Sequence, residues 1–115
     1  MLKKLLKREM RNYEEFSHPF IPKFYGKIKY GNQFYPVIEF INGFTLFSYN
    51  NFLKETEIFE IIFQILLVFN YLHINHFIYR DLKPNNVIID QNKMLTLIDF
   101  DRVIKYNEDS ETKDF

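Results

Sequence analysis

The sequence predicts an α+β fold in one small domain, and three observations carry that expectation. A long apolar run with helical periodicity, Ile58 to Leu72, sits near the middle of the chain. On either side of it lies a pair of short aromatic or β-branched runs joined by a polar turn. The length of 115 residues suits a single domain; a chain of that size buries only about two-thirds of its unfolded surface.

Leu2 to Phe16 has the spacing of a short amphipathic helix. Ser17-His18-Pro19 ends it, because a residue before proline avoids helical backbone angles. Phe24 to Lys29 and Phe34 to Phe40 are strand candidates, and Tyr30-Gly31-Asn32 between them supplies turn chemistry for an antiparallel hairpin. A short helix is expected near Thr45 to Leu53. In the long run, Ile58, Ile61, Ile62, Ile65, Leu66, Phe69 and Leu72 recur at helical spacing, and Phe63, Leu67 and Val68 widen the stripe. Such a helix is expected to be covered on most sides. Thr56 is its expected N-cap, with Glu57 and Glu60 placing negative charge in the first turn, where the helix dipole favours it. The run carries Glu60, Gln64 and Asn70 and falls short of the roughly 20 apolar residues of a membrane span, so a buried helix is expected. Asn86 to Ile89 and Met94 to Ile98 flank the polar turn Asp90-Gln91-Asn92-Lys93, which reads as a second hairpin. The charged tail, Asn107 to Asp114, has no apolar residue and is expected to be a mobile loop.

Composition excludes several functions. Lys and Arg number 15, as do Asp and Glu, so the formal charge is zero. A general nucleic-acid or membrane-surface binder carries an excess of positive charge, and neither partner is expected. The basic face of Lys3, Lys4, Lys7, Arg8 and Arg11 reads as a solvated helix surface. Leu2, Leu5 and Leu6 are too scattered for the apolar stretch of a signal peptide. With 14 Phe and 8 Tyr against 3 Gly, the chain has the composition of a packed protein, not a disordered one. The lack of cysteine removes disulfides, thiolate zinc sites and cysteine nucleophiles together. His18, His73 and His76 lack metal-ligand spacing and read as structural.

The informative segment runs Tyr79-Arg80-Asp81-Leu82-Lys83-Pro84-Asn85-Asn86 and, after the hairpin, Leu97-Ile98-Asp99-Phe100-Asp101. It closely resembles the catalytic loop and metal-binding motif of eukaryotic protein kinases, H-R-D-L-x-x-x-N followed by D-F-G. Two acids and an asparagine gathered by a loop and a hairpin suit phosphoryl transfer, which asks for positioning and charge neutralisation. The resemblance implies a partial kinase-like fold, with 1–41 the remainder of the small lobe and hinge and 42–115 the start of the large lobe. It implies ATP and Mg2+ as cofactors and a protein substrate. By the same resemblance Asp81 accepts the proton of the attacking hydroxyl, Lys83 steadies the transferred phosphoryl, and Asn86 and Asp99 hold magnesium. Arg80 would pair with a phosphate or acid of the activation segment, and Lys83-Pro84 is the serine/threonine version of the loop.

Upstream residues extend the likeness. Glu9 takes the place of the family's small-lobe helix glutamate, and Ile38 that of the gatekeeper. Backbone groups of Glu39 and Ile41 would meet the adenine, Asn42-Gly43 follows the hinge, and Ile88 would pack beneath the ring. Tyr71-Leu72-His73 matches a tripeptide near the end of the family's central helix, while Tyr13, Phe24, Tyr79 and Phe100 match its stacked hydrophobic spine. An intracellular, cytoplasmic location is the expectation.

Four departures qualify the likeness. The glycine-rich loop with the phosphate-binding lysine, and the A-P-E segment, are not among these residues, so the resemblance covers under half of a typical kinase domain. Asp101 replaces the glycine of D-F-G, and Tyr79 stands where histidine is commonest. The chain alone is therefore expected to bind Mg-ATP weakly. A degenerate kinase-like (pseudokinase) module acting as a binding or scaffold protein is the alternative, with a partner supplying the missing parts. A small-molecule phosphotransferase of the same fold is a third reading, against which Lys83-Pro84 argues.

Overall fold

A computed structural model describes residues 2–49 and 52–106, with side chains from Lys7 onward. The expected tail and the middle of the expected helix near Thr45 to Leu53 lie outside the described residues. The chain opens with helix α1 (Leu2–Glu15). Its inner face carries Met10, Tyr13 and, just past its end, Phe16, spaced by threes so that they share one side. His18 then caps a turn, its Nδ1 accepting the Phe20 N–H at 3.0 Å, which makes it structural as expected.

Strands β1 (Phe24–Tyr30) and β2 (Gln33–Ile38) pair antiparallel with Tyr30 opposite Gln33. Gly31 takes φ +63 at the head of the two-residue loop, a conformation glycine adopts without steric cost. β2 stops at Ile38, two residues before the expected end at Phe40. There the Glu39 N–H turns to the Lys23 carbonyl at 2.8 Å and the chain leaves the hairpin.

Next comes a pairing that the sequence did not announce. Strand β3 (Phe44–Thr45) aligns Phe44 with Ile89 and Thr45 with Ile88 of β5 (Val87–Ile89), and β5 pairs in turn with β6 (Leu95–Leu97). Gly43 makes this contact possible: a Cβ there would lie 2.5 Å from the Ile89 carbonyl oxygen. Gly43→Ala is expected to push β3 off β5 and cost about 1–3 kcal/mol, the range for overpacking. A urea melt of the variant checks this; an unchanged midpoint would show that β3 yields freely.

After the one-turn helix α2 (Leu46–Tyr49), the long helix α3 runs Glu55–Ile74. Its N-cap is Lys54, not Thr56: the Glu57 carboxylate reaches back to accept the Lys54 N–H at 2.9 Å. Glu55 and Glu57 therefore occupy the first turn, and Glu60 falls beyond it. Cover on most sides is not found among the described residues. Ile61, Gln64, Val68 and Leu72 form the buried stripe, while Ile58, Phe59, Ile62, Phe63, Leu66 and Leu67 face outward. At 20 residues, with a mean hydropathy of 1.6 over its most apolar 18-residue window, α3 is also long and apolar enough to cross a membrane, contrary to the shorter run read from the sequence. Its centre is tied into this fold through Gln64, which donates to the Lys93 carbonyl at 2.9 Å and accepts the Leu95 N–H at 2.8 Å.

Beyond α3, β4 (Phe77–Ile78) pairs antiparallel with β7 (Ile104–Lys105). The β5–β6 hairpin matches expectation, with Asp90 Oδ1 accepting the N–H groups of Asn92 and Met94 at 2.8 and 2.9 Å. One buried cluster joins α1 to the rest: Tyr13 and Phe16 pack with Leu72, Phe77, Tyr79, Leu97 and Phe100. The site described next is built on top of that cluster.

Candidate active site

The loop after β4 is shaped by main-chain geometry before any side chain acts. Tyr79 is buried, and its hydroxyl donates to the carbonyl of Ile98, joining the loop to the end of β6. Arg80 adopts φ +70 and its Nε donates to the Arg102 carbonyl at 2.9 Å. Pro84 opens a single 3-10 turn, Pro84–Asn86, where its fixed φ suits the first position. That turn delivers Asn86, only 3% exposed, back beneath Asp81. Asn86 Nδ2 donates to the Asp81 carbonyl at 2.9 Å and to Asp81 Oδ2 at 3.0 Å. The Asn86 carbonyl accepts the Ile98 N–H at 3.0 Å, so the residue preceding Asp99 is anchored to the same turn.

Asp99 thereby meets Asp81. Carboxylate oxygens of Asp81, Asp99 and Asp101 all lie within 4.8 Å of one another. Lys83 Nζ stands 4.0 Å from Asp81 Oδ1. Asp101, at the position of the motif's glycine, thus joins the acidic group instead of pointing away. Oxygen donors at this spacing suit a hard divalent cation such as Mg2+.

The charges record this crowding. Burial first, then the hydrogen bond and charge of Asp101 and the charge of Asp81, push the Asp99 carboxyl up to about 6, with Lys83 opposing. Glu9 is pushed up to about 7 by burial and then by the charges of Asp99 and Asp101, which places the α1 glutamate beside the same group. The Tyr13 and Tyr79 phenols are raised in the same way, by burial and then by the surrounding carboxylates.

A pH dependence follows. A carboxyl whose folded pKa exceeds its unfolded value holds its proton more tightly when folded. For Glu9 and Asp99 that contribution is complete below about pH 4 and is lost as pH rises through about 6 and 7. The melting temperature without divalent cation is expected to fall from pH 5 to pH 8, and millimolar Mg2+ at pH 8 to restore part of it. A melting series at both ends of the range checks this; a rise with pH would contradict the crowding.

Of the residues expected from sequence, Glu9, Asp81, Lys83, Asn86 and Asp99 come together. Glu39 and Ile41 border a cavity of about 550 Å³ shared with the Asp90–Thr96 turn, a cavity that Ile88, Asn86 and Asp99 do not line. Ile88 is half-buried, on the face of β5 opposite the buried Val87 and Ile89. The expected spine is assembled: Phe100 meets Tyr13 at 5.1 Å and Tyr79 at 5.5 Å between ring centroids, and Phe24 packs against the same cluster. Sequence reasoning missed Asn12, buried on α1, whose Nδ2 donates to the carbonyls of Phe100 at 2.7 Å and Val103 at 3.2 Å. The available signal was a polar residue between Met10 and Tyr13 on the inward face.

The family profile described as protein kinase domain matches residues 1–115, the whole length. The chain belongs to the protein kinase family. Among curated proteins it is similar to cAMP-dependent protein kinase type 3 of Saccharomyces cerevisiae, 34% identical over 98 residues. The match takes in 80% of this chain and 24% of that kinase, so the chain spans about a quarter of the length of its relative. The α+β kinase-like fold expected from the sequence is the one found. Within this kinase-family chain, the loop Tyr79–Asn86 and the Asp99 turn are the parts that the motif predicted.

Proposed function

We propose that the protein carrying this chain is a serine/threonine protein kinase that transfers the γ-phosphoryl of Mg-ATP to protein hydroxyls. The observation that supports it most is the convergence of Asp81, Asn86 and Asp99, with Asn86 hydrogen-bonded to Asp81. Bound through oxygens of Asn86 and Asp99, Mg2+ would supply charge neutralisation at the nucleotide phosphates. Asp81 is the group to accept the hydroxyl proton, and Asn86 orients its carboxylate. Lys83, beside Asp81, is placed to steady the transferred phosphoryl. By the family resemblance, Glu39 and Ile41 would offer backbone groups to the adenine and Ile88 an apolar floor. Lys83-Pro84 favours Ser/Thr over Tyr as acceptor, and a cytoplasmic location goes with that reading.

The test is transfer of labelled γ-phosphate from Mg-ATP by the full-length protein to peptides offering Ser, Thr or Tyr. Label on Ser and Thr peptides, and none on Tyr, is expected; label on Tyr alone would overturn the acceptor assignment. A second reading, a pseudokinase scaffold, draws on the outward apolar residues of α3 and on the extra carboxylate of Asp101. It is favoured if no peptide is labelled while nucleotide still binds.

A further inference from the structure

Asn12 is 6% exposed on a helix face otherwise occupied by Met10, Tyr13 and, beyond the helix end, Phe16. A buried amide is unfavourable unless it is hydrogen-bonded, so its partners explain why it is tolerated there. Asn12 Nδ2 donates to two main-chain carbonyls far along the chain, Phe100 O at 2.7 Å and Val103 O at 3.2 Å. These carbonyls bracket the turn that contains Asp101 and follows Asp99 directly.

Asp99 sits at φ +68, in the left-handed region that a non-glycine residue enters at a steric cost. Such a conformation persists where the surroundings over-determine it. Here two carbonyls that flank Asp99 are held: Ile98 O by the Tyr79 hydroxyl and Phe100 O by Asn12. The second of these side chains comes from α1. Holding matters here because the carboxylates of Asp81 and Asp101 crowd Asp99.

We propose that Asn12 is a positioning residue: its side-chain amide clamps the Asp99–Val103 turn to α1 and thereby fixes the direction of the Asp99 carboxylate. The metal-binding part of this inference rests on the reading of Asp99 as a magnesium ligand; the clamp itself does not.

Asn12→Leu, close in volume but lacking both donors, tests the clamp in the full chain. Amide hydrogen exchange over residues 98–104 is expected to quicken by about tenfold or more, while residues 61–72 in α3 keep their protection. Affinity for Mn2+ alone, titrated by electron paramagnetic resonance, is expected to weaken by about tenfold while adenosine binding holds. A folded variant whose exchange over 98–104 stays unchanged overturns the clamp, and so does a parallel loss of Mn2+ and adenosine binding. If the parent chain binds no Mn2+, or Asp99→Asn leaves Mn2+ binding unchanged, the metal reading fails and exchange alone decides the clamp. Should Asn12→Leu not fold, the side-chain amide of Asn12 in the parent chain decides it by NMR. Slow exchange with water and contacts to Phe100 and Val103 are expected; rapid exchange overturns the proposal.

Discussion

Phe100→Ala is expected to cost about 3–5 kcal/mol, enough to leave the chain largely unfolded. The ring is fully buried and touches rings from two separate stretches of chain: Tyr13 and Phe16 at centroid distances of 5.1 and 5.6 Å, and Tyr79 at 5.5 Å. Removing it loses the transfer free energy of an aromatic side chain and opens a cavity between α1 and the catalytic loop. Tyr79 cannot readily fill it, since its hydroxyl is held at the Ile98 carbonyl. A small domain has only about 5–15 kcal/mol of stability in total, so one such loss takes much of it. Phe40→Ala provides the control, because that ring is exposed and its removal is expected to fall within about 0.5 kcal/mol. Urea denaturation followed by circular dichroism separates the two. Equal midpoints for both variants would mean that Phe100 is not the keystone of the cluster.

How much of this could be read in advance depends on how local the cause was. The first hairpin was legible because Gly31 and Asn32 punctuate it, and the second because Asp90 and Lys93 close a polar turn between apolar runs. The pairings β3–β5 and β4–β7 were not, since a two-residue strand is too short to show alternation and its partner lies far along the chain. Lys54 is no capping residue by type; the cap comes from Glu57 reaching back, a signal that reads equally well as dipole charge. The breadth of the apolar stripe on α3 was visible, but the sequence does not say what lies against each side, and the described residues bury only one stripe of it. At the site, Asp81 and Asn86 were legible through their likeness to the catalytic-loop motif, and the structure closes the five-residue offset between them with the turn that Pro84 opens. Asp101 was not: in the motif its position holds glycine, so nothing local dictates where a carboxylate there should point. Asn12 was hidden for a different reason, as both its partners are backbone carbonyls about ninety residues away.

Asp81→Asn separates proton acceptance from metal holding, and the two readouts are expected to move by very different amounts. In the full-length protein, phosphoryl transfer to a Ser peptide should fall by about 10²–10⁴-fold, the usual contribution of a positioned general base. An amide has nearly the shape of the carboxylate, so the arrangement of Lys83 and Asn86 around it is largely kept, but it cannot take up the hydroxyl proton. Metal binding responds through charge instead. The charge of Asp81 is one of the causes that raise the Asp99 carboxyl to about 6, and removing it lets Asp99 ionise at lower pH. Mn2+ affinity measured near pH 5.5 should therefore fall much less than transfer in Asp81→Asn, the easier ionisation of Asp99 offsetting part of the lost charge. Asp99→Asn should weaken it at every pH, because a neutral amide replaces a charged ligand. If Asp81→Asn loses transfer and metal affinity by the same factor, Asp81 is acting as a ligand and the base must be sought elsewhere. If transfer survives unchanged, the hydroxyl proton leaves by another route, and the bonds from Asn86 to Asp81 serve only to hold the loop.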